Sequence, residues 1–139
     1  MKSPKKKNAV TRRMGSLVIL LQGTDTPTAP EWTECIKLVG ATTDLNSTKV
    51  LVITDGGGPN LTQRQQLEGV LRGTTVCSAV VSDSVKVRFI VATVALFSSK
   101  ISTFTKSEIE KAYQFLGLMP DEVQLAKKAV VEMRQELQQ

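Results

Sequence analysis

The stretch Lys49 to Leu71, KVLVITDGGGPNLTQRQQLEGVL, constrains the fold more than any other part of the chain. Val50, Leu51, Val52 and Ile53 form a short apolar run, mostly β-branched, which reads as a strand buried on both faces. The run stops at Asp55-Gly56-Gly57-Gly58-Pro59, because glycine does not hold an extended backbone and proline cannot donate to a ladder. Asn60 with Gln63 three residues on is the pattern of a capping box, and Leu67, Val70 and Leu71 give the helix that follows an apolar side. Strand, glycine loop and helix together are one step of a parallel α/β layer. In open sheets of that class, sites lie at the carboxyl ends of strands, beside the next helix start. The loop after Ile53 is therefore the first candidate for a functional surface.

The rest of the chain repeats the alternation. Ser16 to Gln22 is a first strand, and Pro30 opens a helix with Trp32, Ile36 and Val39 at helical spacing and Gly40 at its end. Thr74 to Val81 is another buried strand. Val85, Val87, Phe89 and Val91 alternate like a strand, but Asp83 and Ser84 are good caps and a strand from 85 to 97 would be unusually long. The segment is assigned as a helix. Lys100 to Phe104 is a last strand. Thr105 and Ser107, with Glu108 and Glu110 three residues on, open a helix that closes at Gly117. Pro120-Asp121-Glu122 starts a final helix, in which Val123, Ala126, Val130, Met133 and Leu137 form a heptad-like seam. That seam serves either packing on its own domain or a partner. The sum is an α/β fold with a mostly parallel four-stranded sheet packed with helices, plus an extra C-terminal helix. Residues 1–15 form a basic, disordered tail, 16–118 the domain, and 119–139 the C-terminal helix.

Charge sharpens the picture of the tail. Lys2, Lys5, Lys6, Lys7, Arg12 and Arg13 account for six of the 18 basic residues, and without them the chain is slightly acidic. The tail is a solubilising leader or a weak contact for an anionic membrane or an acidic partner. Aromatic residues make up 4% of the chain, too few for stacking on bases, so no specific nucleic-acid binding is expected. Met14 to Leu21, the apolar stretch behind the tail's charges, is too short for a secretory signal and reads as a strand, and no apolar run is long enough to span a bilayer. Cys35 and Cys77 are the two cysteines and read as small core residues. A cytoplasmic setting follows from these features.

Chemistry is sparse. Histidine is absent, which removes Ser–His and Cys–His nucleophile pairs, and no metal-ligand cluster stands out. No metal, no cofactor and no enzymatic activity are expected. The three glycines could hold an anion through backbone N–H groups, but no Walker lysine follows, and a tight turn explains them equally. Asp55 at a strand end invites a phosphoacceptor reading, as in response-regulator receivers. That chemistry needs an acidic cluster and a lysine on a later strand, neither of which is evident in the sequence.

Several stretches resemble the STAS fold of sulphate transporters and bacterial anti-anti-sigma factors. LVILLQGTDTPTAPEW resembles the family's first strand and the entry to its first helix, and KVLVITD its central strand. TTVCSAVVSDSVKVRFIV resembles the strand that ends in a serine turn before a helix, and KISTFTKSEIEKAYQFLGL the terminal strand and capped helix. The resemblance covers residues 16–118. It implies a non-enzymatic regulatory or scaffold module that binds a partner protein through the loop and helix start after the central strand. Asp55, Gly56, Gly57, Gly58, Asn60, Thr62, Gln63 and Gln66 would then form the partner surface. The family's usual phosphoacceptor position falls on Leu61, so Thr62 is the one candidate for phosphorylation in that run. The alternative is a small-ligand or lipid-binding module related to SEC14 domains. A homo-oligomer through the C-terminal helix is a further option.

Overall fold

The computed structural model describes residues 6–95 and 100–138. Its centre is a five-stranded sheet in the order β1-β2-β3-β4-β5: Ala9–Met14, Leu17–Gln22, Lys49–Thr54, Cys77–Val81 and Ile101–Phe104. β2 to β5 are parallel neighbours, and β1 runs antiparallel to β2. The helices are α1 (Ala29–Val39), α2 (Leu61–Leu71), α3 (Val85–Ala95), α4 (Ile109–Phe115) and α5 (Pro120–Gln138). The α/β class with a mostly parallel sheet is as expected from the sequence, and the strand count is not: there are five strands and not four.

The fifth strand lies inside what reads as a tail. Ala9 to Met14 pairs along its whole length with β2, joined by a two-residue turn. Its alternation is split between polar and apolar residues, as an edge strand tolerates. Val10 and Met14 face one side of the sheet and Ala9 the other. The two arginines that make the stretch look like a tail are bonded on opposite faces. Arg12 reaches Glu132 at 2.7 Å and Glu136 at 3.0 Å on α5. Arg13 donates to the carbonyls of Leu38 (2.9 Å) and Val39 (3.4 Å), filling the open end of α1. Glu31 in the first turn of α1 holds the start of β1 by accepting from the Asn8 N–H at 2.9 Å. Burial alone would raise the Glu31 pKa. Backbone N–H groups of Thr28, Asn8 and Ala9 outweigh that and hold it below the usual carboxylate range.

Side chains alternate across the strands, so each strand feeds two cores. Leu17, Ile19, Leu21, Leu51, Ile53, Ala79 and Val81 face α4 and α5. Val18 and Leu20 face α1, where Trp32, Cys35 and Val39 are buried, and half-buried Val50, Val52, Leu67 and Leu71 extend that core towards α2. Burial pushes the Cys35 thiol up to about 11, so it is a packed, unreactive group. The seam of α5 is directed at its own sheet: Ala126, Ala129, Met133 and Leu137 are buried, with Val123 and Val130 packed beside them. The segment from Val85 is a helix, as its caps indicate. The Ser84 hydroxyl accepts from Val87 N–H at 3.3 Å, and the helix packs beside β5. Among the described residues no helix is long and apolar enough to cross a membrane.

Candidate functional site

The parallel strands end together, which puts the residues after β2, β3, β4 and β5 on one edge. The loop after β3 is built there in a fixed shape. Thr54, itself buried, donates its hydroxyl to Gly57 O at 2.6 Å and accepts from Gly56 N–H at 3.0 Å. Ser82, after β4, donates to Thr54 O at 2.8 Å and accepts from Ser84 N–H at 3.1 Å. Both hydroxyls are spent on holding loops. The glycines have separate roles. Gly56 has φ +128°, which disfavours a side chain. Gly57 is pressed against the loop after β2, where its N–H donates to Gly23 O at 2.9 Å. A Cβ there would collide with Asp25 O and would lie 2.8 Å from Gly23 O. Gly58 has open space around it and no such requirement. The loop is thus a close-packed turn between strand ends.

The start of α2 is tied down in the same way. Asn60 and Gln63 form a complete capping box, with the Asn60 side chain accepting from Gln63 N–H at 2.9 Å and Gln63 Oε1 accepting from Asn60 N–H at 3.0 Å. Gln63 is buried and does more than cap. Its Nε2 donates to Pro27 O at 2.9 Å, and its backbone carbonyl accepts from Trp32 Nε1 at 2.9 Å. It therefore joins the starts of α1 and α2 from within. Of the residues expected at a partner surface, Asp55, Gly56, Asn60, Thr62 and Gln66 are exposed, Gly58 is half-buried, and Gly57 and Gln63 are inside. Thr62 and Gln66 line a cleft of ≈ 210 Å³ between α1 and α2, together with Trp32 and Thr33.

Other members of the edge are not evident from sequence. Lys106, which follows β5, brings its Nζ to 2.6 Å from Asp55 Oδ1. The ends of next-but-one strands lie about 10 Å apart, a gap that a lysine stem and an aspartate close between them. Asp83, after β4, accepts from the Lys106 N–H at 2.9 Å. The Thr105 N–H and hydroxyl hold the Glu108 carboxyl below the usual range and complete the turn that carries Lys106. The signal for these contacts is indirect: once strands are parallel and in sequential order, residues after alternate strands become neighbours. Leu61 and Val85, in the first turns of α2 and α3, and Phe89, one turn further along α3, are 62%, 72% and 73% exposed. Among the described residues no group of three or more His, Cys, Asp or Glu side chains could hold a metal ion. No protein-family model, curated protein or solved structure matches the chain.

Proposed function

We propose that the chain is a STAS-like regulatory or scaffold module of the cytoplasm that binds a partner protein and acts on no substrate of its own. Its contact surface is the carboxyl edge of the sheet: the loop from Asp55, the start of α2 with Thr62 and Gln66, and the start of α3. The observation that carries this reading is the exposure of Leu61, Val85, Phe89 and Ile90 on the two helices that start at that edge. Exposed large apolar side chains are what a docking surface draws on when a partner covers them. The loop beneath them is held by Thr54, Ser82 and the capping box, so the surface is rigid before any partner arrives, and rigidity lowers the entropy cost of binding. Thr62, exposed at the second position of α2, is where a phosphate would add charge to this surface without opposing the helix.

A small-ligand role has less support. The clefts at this edge measure ≈ 100 and ≈ 210 Å³, below the roughly 300–1,000 Å³ usual for drug-sized ligands. The test is affinity capture from the cells that make the protein, with wild type, Val85→Glu, Thr62→Glu and Lys128→Glu compared in parallel. The reading expects one protein retained by wild type and Lys128→Glu, and lost or reduced with Val85→Glu and Thr62→Glu. Native mass spectrometry of the purified chain runs beside it. A co-purified small molecule, with no protein sensitive to Val85→Glu, would replace the partner reading with the ligand one.

A further inference from the structure

Asp55 combines a short ion pair with a place on the wall of a cavity. It follows β3, its side chain is 36% exposed, and its Oδ1 is 2.6 Å from Lys106 Nζ. Among the described residues its Oδ2 takes no hydrogen bond. Both partners are fixed from behind: Asp55 N–H donates to Gln22 O at 3.1 Å, and Lys106 N–H donates to Asp83 Oδ1 at 2.9 Å. Asp55 also opens onto a cavity of ≈ 100 Å³ that Asn8, Asp25, Lys6, Lys7 and Arg134 help to line. The nearby hydroxyls of Thr54 and Ser82 are committed to loop carbonyls. Asp83 and Glu108 are engaged with backbone N–H groups. A carboxylate with a free oxygen, an anchored lysine and a cation-lined space meet at Asp55.

We propose that Asp55 is a phosphoryl acceptor, modified by small acyl phosphates or phosphoramidates. Its Oδ2 attacks the phosphorus of an acyl phosphate. An O–P bond forms, the bond from phosphorus to the acyl oxygen breaks, and the carboxylate leaves with that electron pair. With an acyl phosphate one carboxylate is consumed and one released; with phosphoramidate the P–N bond breaks and the already protonated nitrogen leaves as ammonia with the electron pair, so charge balances in both cases without a redox partner. Water later cleaves the aspartyl phosphate, returning Asp55 and inorganic phosphate. Among the described residues no acidic cluster could hold a metal here, so the repulsion that Asp55 and Asp25 exert on an incoming dianion is reduced instead by Lys106 beside Asp55 and by Lys6, Lys7 and Arg134 around the cavity. Lys106 suits the step because a flexible ammonium can pass from the carboxylate oxygen to a phosphoryl oxygen as charge moves. Asp55 also begins the loop assigned to the proposed docking surface, but the phosphoryl step needs no partner protein and is read on the isolated chain, so its failure and the failure of docking are distinguishable.

The full chain is incubated with acetyl phosphate and, separately, with phosphoramidate, and its intact mass is followed. The expected result is a gain of one phosphoryl group that hydroxylamine removes. Borohydride reduction followed by peptide sequencing should place it on Asp55 in the wild-type chain, a result that needs no variant. Asp55→Asn should abolish the gain. Lys106→Met should slow it on the order of a hundredfold, the loss seen when one charge-stabilising group leaves a reacting centre. An exposed ion pair contributes little to stability, so both variants should keep the wild-type circular dichroism. No gain with either donor, labelling spread over several carboxylates, or a hydroxylamine-resistant label confined to Thr62 would each overturn the proposal.

Discussion

Replacing Gln63 with leucine tests whether the start of α2 is held from within. The change removes two side-chain bonds, Gln63 Nε2 to Pro27 O and Asn60 N to Gln63 Oε1, at 2.9 and 3.0 Å. It leaves the Gln63 N–H to Asn60 bond and the Trp32 Nε1 to Gln63 O bond in place, since both use the backbone of residue 63. Pro27 is buried, so its carbonyl loses a partner that water cannot replace, at a cost of about 1–3 kcal/mol. Asn60 is exposed, and its freed N–H is solvated at a smaller cost, near 0.5–1 kcal/mol or about one ordinary hydrogen bond. Leucine at a site 7% exposed regains part of this through apolar burial, which leaves a net loss of about 1–3 kcal/mol. Urea unfolding should show a lower midpoint with an unchanged slope, the sign of altered stability without altered compactness. Trp32 is the chain's single tryptophan and lies at this joint, so its emission reports the same event locally. A loss under about 0.5 kcal/mol with unshifted Trp32 emission would refute the claim that Gln63 joins the two helices.

Three further outcomes follow from the same geometry. Gly57→Ala should destabilise the chain and shift the loop, because its Cβ meets the backbone of Asp25 and Gly23, whereas Gly58→Ala should be tolerated; paired thermal melts decide this. Glu31 has a lowered pKa in the folded state, so its stabilising contribution is fully present above the unfolded-state value and is lost as pH falls through the lowered one; melting temperature followed downward from pH 5 should fall less steeply in Glu31→Gln. Deleting residues 1–13 removes most of β1 and the Arg12 and Arg13 bonds, so the truncated chain should melt well below the full chain; equal melting temperatures would mean that the strand adds nothing.

What the sequence reveals is what is locally encoded. The apolar runs of β2 and β3 and the box at Asn60–Gln63 each lie within a few residues, and each appears in the fold where its pattern stands. β1 is hidden because half of its residues are polar, as an edge strand tolerates, and the partners of Arg12 are 120 and 124 residues away. Gln63 is legible as a cap but not as a buried joint, since Pro27 and Trp32 become its neighbours only when α1 and α2 pack. The lysine paired with Asp55 is also a matter of topology: 51 residues separate the two, and the parallel order of β3, β4 and β5 brings them together. Val85 to Val91 carries a strand's alternation yet forms a helix, whose start the Ser84 hydroxyl caps by accepting from the Val87 N–H.

The proposed docking surface is tested most directly by site-specific photo-crosslinking in the cells that make the protein. A photoreactive residue is placed at Val85, in the first turn of α3, and in a separate chain at Lys128, on the exposed side of α5. The carboxyl-edge surface predicts one defined protein adduct from position 85 and none from position 128. No adduct at 85, or the same adduct from both positions, would contradict it.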